Sequence, residues 1–125
     1  MQNLDLQATS TTPAIEFNAA SGLLSISGRC IHENPPQMFQ VINDWLKEYV
    51  QLPRPFTVLR INLEYFNTSS SKCILDFLKT LKKIEDTGNH LEVIWIYHED
   101  DEDMKQSGED FSELTDIPFE YVEYN

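Results

Sequence analysis

Hydrophobic and polar positions change period along this chain, and each change marks an element. Ala14 to Phe17 alternates, with Ile15 and Phe17 on one side. Leu23 to Gly28 alternates again, with Leu24 and Ile26 opposite Ser25 and Ser27. Turn residues Asn18 to Gly22 join the two runs, which predicts an antiparallel hairpin with one solvated face. From Met38 the period lengthens, and Met38, Ile42, Trp45, Leu46 and Tyr49 fall on one helical stripe. Asn34 as N-cap and Pro35 in the first turn predict the start of this helix, and Pro53 and Pro55 stop it after about Val50. Phe56 to Tyr65 returns to period two, with Leu59, Ile61, Leu63 and Tyr65 against Arg60, Asn62 and Glu64. A second helix is predicted from about Ser69 to Thr87, with Ile74, Leu78, Leu81 and Ile84 inward and Gly88 and Asn89 ending it. Leu91 to Tyr97 is apolar on both faces and is expected inside a sheet. An acidic loop follows, then a short helix expected to break near Gly108, then an edge strand over Phe119 to Tyr124.

The order β-β-α-β-α-β-α-β predicts a single α/β domain over 13–125, a mixed sheet with helices packed on it and parallel neighbours at each βαβ crossover. Residues 1–12, polar throughout, are expected to be a flexible leader that enters the fold near Pro13.

Composition narrows the class. At 125 residues, 41% hydrophobic and 24% charged, the chain can bury a core without staples. The formal net charge is −12, and eleven of the 21 acids lie between Glu99 and Glu123 against one base, Lys105. Such a surface repels phosphate backbones and anionic lipids, which argues against direct nucleic-acid or membrane binding. Cys30 and Cys73 share no metal or redox spacing and are read as free thiols of a cytoplasmic protein. No secretory leader or membrane-length apolar run is read.

Candidate chemistry concentrates at one junction, LEYFNTSSSK, Leu63 to Lys72, where the strand meets the second helix. Thr68, Ser69, Ser70 and Ser71 stand at the helix start, where unpaired N–H groups and the positive end of the macrodipole lie. One hydroxyl or Asn67 suffices as a cap, worth about 1 kcal/mol. Four in succession leave three readings open: capping, phosphate binding or phosphoacceptor. Lys72 is unfavourable against the dipole and favourable beside an anion. Glu99 to Asp103 beside His98 is oxygen-rich, but it lacks the spacing of a calcium loop and reads as a solvated acidic segment. A metal-dependent enzyme built on Asp100 to Asp103 is the alternative that this cluster raises. GxSxG, HExxH and GxxxxGK[ST] are absent, and four glycines cannot build a phosphate-cradling loop.

Several segments carry a resemblance: TPAIEF from Thr12, GRCIHENP from Gly28, WLKEY from Trp45, LEYFNTSSSK from Leu63 and WIYHEDDEDMKQSGEDF from Trp95. The chain resembles the SiaC family of bacterial regulatory phosphoproteins, with the STAS-like fold of anti-sigma-factor antagonists. GRCIHENP departs from the family pattern at Cys30 and His32, which bears on partner choice and not on the fold. The resemblance implies a non-enzymatic switch without a cofactor or metal of its own. It implies phosphorylation of Thr68 by a partner protein Ser/Thr kinase and reversal by a metal-dependent phosphatase. It also implies that the unmodified form binds and activates a diguanylate cyclase, setting cyclic-di-GMP output and biofilm behaviour. Tyr65, Phe66, Asn67, Ser69, Ser70, Ser71 and Lys72 are then the expected partner-binding surroundings. An anti-sigma-factor antagonist that binds an anti-sigma kinase is the alternative with the same architecture.

Overall fold

The computed structural model describes all 125 residues, Met1–Asn125. In chain order they form β1 Leu4–Leu6, β2 Ala14–Asn18, β3 Leu23–Cys30, α1 Pro35–Tyr49, β4 Phe56–Phe66, α2 Thr68–Leu81, α3 Lys83–Asp86, β5 His90–His98, α4 Glu102–Thr115 and β6 Phe119–Tyr124. The six strands lie in one sheet in sequence order. β1, β2 and β3 pair antiparallel; β3, β4, β5 and β6 pair parallel. This is the mixed sheet that the alternating runs predict, with each parallel step made through a helix.

Burial shows how the layers stack. Ile15, Phe17, Leu24, Ile26, Leu59, Ile61, Val93 and Trp95 are buried on one face of the sheet. The helices cover that face in a single layer, α1 against α2 and α2 against α4. α1 buries Phe39, Ile42, Trp45, Leu46 and Tyr49; α2 buries Ile74, Phe77, Leu78 and Leu81. Aromatic rings close the middle: Phe17 tilts against Trp45 at 5.1 Å and stacks on Phe77 at 5.9 Å. Trp45 is thus a core residue, as its place on an apolar stripe implies.

Three expectations change. The leader supplies a strand, because β1 pairs with β2 from Leu4↔Phe17 to Leu6↔Ile15. Two side-chain bonds hold it there: Trp45 Nε1–H donates to Gln2 O at 2.8 Å, and Ala19 N–H donates to Asn3 Oδ1 at 2.9 Å. The second helix ends at Leu81, and Ile84 stays buried through the separate four-residue turn α3. α4 does not break at Gly108. The glycine lies on the buried side of the helix, where an added Cβ would stand 2.5 Å from the Trp95 ring. Trp95 is fully buried and its Nε1–H donates to Met104 O at 2.9 Å. Gly108 is therefore what allows α4 to lie on Trp95.

The other face carries no helix. Its residues include Glu16, Ser25, Arg60, Glu92, Ile94, Glu120 and Val122, and a cleft of about 390 Å³ opens over β1 to β4. Here the neighbouring Glu92, through hydrogen bonding and then like charge, holds the Glu120 carboxyl above its usual range, and a smaller loss of hydration adds to this.

Two measurements test this layout. Gly108→Ala should destabilise the fold by about 1–3 kcal/mol through overpacking against Trp95. Urea unfolding reads this directly, and an unchanged midpoint would show that α4 does not sit on the indole. The raised Glu120 pKa means that the folded chain holds this proton more tightly than the unfolded chain. Its contribution to stability is therefore full at acid pH and lost as pH rises through the raised value. Glu120→Gln keeps a donor and removes the charge. Its melting temperature should match that of the parent at about pH 4 and exceed it at about pH 7. A gap that does not vary with pH would contradict the shared proton.

Candidate functional site

Parallel pairing gathers the site. The carboxyl ends of β3, β4, β5 and β6 reach the same edge of the sheet, and α1, α2 and α4 start from that edge. Ligand contacts of α/β sheets collect at such edges. β4 ends at Phe66, Asn67 caps, and Thr68 is the first residue of α2. Asn67 Oδ1 accepts the Ser70 N–H at 2.9 Å, and Asn67 N–H donates to Cys30 O at 3.2 Å. The cap is thus tied both to its own helix and to the end of β3.

With Asn67 capping, the four hydroxyls separate by environment. Thr68 and Ser69 are exposed. Their N–H groups precede the first intrahelical bond, which Ser71 N–H makes to Asn67 O at 3.1 Å. Ser71 is half-buried and its hydroxyl donates to Thr68 O at 2.7 Å. Ser70 is fully buried, and its Oγ meets no nitrogen or oxygen partner. Its polar neighbour is the Cys30 thiol. Burial pushes that thiol's pKa up, the Ser70 hydroxyl offsets part of the rise, and Cys73 adds to it. Ser70 accordingly faces inward, unlike the other residues expected to meet a partner. Phe66 is half-buried with its ring 5.8 Å from Phe111 of α4, while Tyr65 is 55% exposed. Lys72 is exposed and forms no ion pair; the chain's three pairs lie at Lys82 and His98.

One neighbour escapes the alternation pattern. Gly28, at φ +113°, marks a register shift, and β3 continues past it so that Arg29 pairs with Tyr65 and Cys30 with Phe66. An isolated glycine inside an alternating run is the available signal for such a bulge. It adds an exposed cation, Arg29, to the edge that holds Thr68.

The acidic segment lies on the same edge, at the end of β5 next in order to β4. Much of it serves α4. Asp101 is the N-cap and accepts the Met104 N–H at 3.0 Å, and Glu102 and Asp103 occupy the first turn, where the macrodipole favours acids. No three His, Cys, Asp or Glu side chains are arranged to hold a metal ion, so the geometry gives no support to a metal centre at Asp100 to Asp103. No helix is long and apolar enough to cross a membrane.

The fold and this edge define a small α/β domain with exposed hydroxyls at a helix start. Residues 6–124 match the SiaC family regulatory phosphoproteins, and the chain belongs to that family. An uncharacterized protein of Pseudomonas aeruginosa strain UCBPP-PA14 is 30% identical over 119 residues, 95% of this chain and 94% of that one. The crystal structure of apo-SiaC from Pseudomonas aeruginosa is similar at a TM-score of 0.85 and 29% identity, covering 98% of this chain and 99% of that chain. A chain from the crystal structure of the diguanylate cyclase SiaD in complex with its activator SiaC, also from Pseudomonas aeruginosa, gives a TM-score of 0.88 at 29% identity. That match covers 97% of this chain and 99% of that one.

Capping and burial predict opposite outcomes for Asn67 and Ser70, three residues apart. Asn67→Ala should cost about 1 kcal/mol by removing the cap. Ser70→Ala should be neutral or stabilising within roughly 1 kcal/mol, because the hydroxyl it removes has no nitrogen or oxygen partner. Denaturant titration of both variants checks this, and a larger loss for Ser70→Ala would show that its contact with the Cys30 thiol matters more than the cap.

Proposed function

We propose that this chain is a cytoplasmic, non-enzymatic phospho-switch that binds and activates a diguanylate cyclase when Thr68 is unmodified. A protein Ser/Thr kinase phosphorylates Thr68, and a metal-dependent Ser/Thr phosphatase restores it. The observation that carries this reading is the position of Thr68, exposed at the first residue of α2, in a member of a regulatory phosphoprotein family. The complex of SiaD with its activator SiaC supports the choice of partner.

The chemistry of the edge supplies the mechanism. Phosphate adds about −1.5 to −2 charge. Nearby are the helix N–H groups of Thr68 and Ser69, which favour an anion, and the exposed cations Lys72 and Arg29. Next to them, at the end of β5, lies the acidic run Glu99 to Asp103. A phosphate on Thr68 takes up the free donors that a partner would otherwise use. It also extends the acidic field across the edge and adds bulk beside Tyr65 and Phe66. Because Thr68 is already exposed, the switch needs no refolding; binding is lost through charge and desolvation. Tyr65, Phe66, Asn67, Ser69, Ser71 and Lys72 form the docking rim, and Ser70 holds it from beneath.

Phosphosite mapping of the native protein, paired with calorimetry against the cyclase, tests this. Phosphate is expected on Thr68. Thr68→Ala should bind and activate the cyclase, whereas Thr68→Asp or the phosphorylated chain should bind at least about tenfold more weakly, a difference of about 1.4 kcal/mol. Phosphate confined to Ser69 or Ser71, or equal affinity of all forms, would overturn the assignment. Recovery of an anti-sigma kinase in place of a cyclase would redirect the partner and leave the switch intact.

A further inference from the structure

The helix-free face of the sheet has an apolar strip along β5 and β6. Register sets Ile94 beside Glu120, Ile96 beside Val122 and His98 beside Tyr124. Ile96 is only 8% exposed although no helix covers it, so its neighbours close around it. Val122 and Tyr124 remain 41% and 40% exposed, and the His98 ring meets Tyr124 edge-on at 5.3 Å. At the foot of the strip Glu92 and Glu120 stand on adjacent strands and on the same face, Glu120 paired with Ile94 two residues beyond Glu92, and the charge of Glu92 pushes the Glu120 carboxyl up. Neither forms an ion pair within 4.0 Å, and neither does Arg60 of β4.

We infer that this strip is a docking surface for an α-helix of a partner protein, one with an apolar stripe for Ile94, Val122 and Tyr124 and a lysine or arginine over Glu92 and Glu120. A helix laid on this face repeats what α1, α2 and α4 do on the opposite one. Two carboxylates held side by side repel each other in the free chain, and a cation between them removes that repulsion while pairing with both. The same charges decide against other occupants. A second copy would set Glu92 and Glu120 against another acidic face. Nucleic acids and anionic lipids meet a chain of net charge −12. The strip lies on the sheet face and reaches the edge that holds Thr68 only at His98 and Tyr124, and the inference does not rest on the switch.

The probe is a synthetic helix-forming peptide of about five turns, with leucines at i, i+3, i+4 and i+7 and lysines flanking the stripe. A scrambled peptide of equal charge is the control. Amide NMR shifts of the full chain should move at Ile94, Ile96, Glu120 and Val122 with the amphipathic peptide and not with the scrambled one. Glu92→Gln with Glu120→Gln, and separately Val122→Ser, should each weaken binding at least about fivefold while leaving the fold unchanged by circular dichroism. Shifts centred on Glu99 to Asp103, equal affinity for the scrambled peptide, or unchanged affinity of the variants would overturn the inference. So would sedimentation showing that the free chain self-associates through Val122, which would assign the strip to a second copy.

Discussion

β4 runs for eleven residues between two parallel neighbours, β3 on one side and β5 on the other. Its inward residues Leu59, Ile61 and Leu63 are buried under the helix layer, so a slip of one residue would turn them to the bare face and send Arg60, Asn62 and Glu64 into the core. The register is therefore tightly held, and it sets where the strand runs out. Phe66 is the last paired residue, Asn67 is bonded back to Cys30 at the end of β3, and Thr68 has no choice but to begin the helix. The position of the exposed hydroxyls follows from burial along β4 and depends little on the hydroxyl residues themselves.

Most of this was legible in the sequence because the core elements alternate or repeat with clear period. The pairs Asn34–Pro35 and Asn67–Thr68 mark helix starts that burial then fixes. What was not legible depends on contacts between distant segments. β1 is three residues with little burial, and it exists through bonds from Trp45 and Ala19 to residues 2 and 3, which no local pattern records. Phe39 and Phe77 are buried beside the stripes read from periodicity, since a helix facing a sheet buries a wider arc than one stripe. Gly108 looks like a breaker by propensity, yet a single glycine costs only about 1 kcal/mol in a helix and its lack of a side chain is what the Trp95 ring requires. At the site, four hydroxyls in a row look equivalent, whereas one helical turn places Ser70 inside and Thr68 and Ser69 outside. Arg29 was hidden because the bulge after Gly28 shifts the pairing there.

The acidic segment illustrates why charge counts alone misassign chemistry. Five consecutive acids suggest a metal, but consecutive residues diverge along the backbone, and here three of them have a structural task at the α4 N-terminus. The remaining charge is not neutralised within the chain: Lys72 and Arg29 form no ion pairs, and the pairs that do form are exposed and of little energetic weight. The cations Lys72, one helical turn on from Thr68, and Arg29, near the end of β3, thus stand apart from the acids that follow β5.

That separation bears on how a phosphate at Thr68 would act in the proposed switch. If the acidic run were paired with Lys72 and Arg29, a phosphate would have to compete for them, and part of its effect would be spent on rearranging the free protein. With the cations unpaired, they and the two free N–H groups can receive the phosphate in place. The modified edge then presents phosphate and acid together, with the same backbone beneath. A partner that read the unmodified edge through those cations and donors would find them occupied and would meet repulsion from both sides. In the proposed switch the change in binding would then be set by the local charge and would need no conformational equilibrium of the domain, because Thr68 is already exposed at the start of α2.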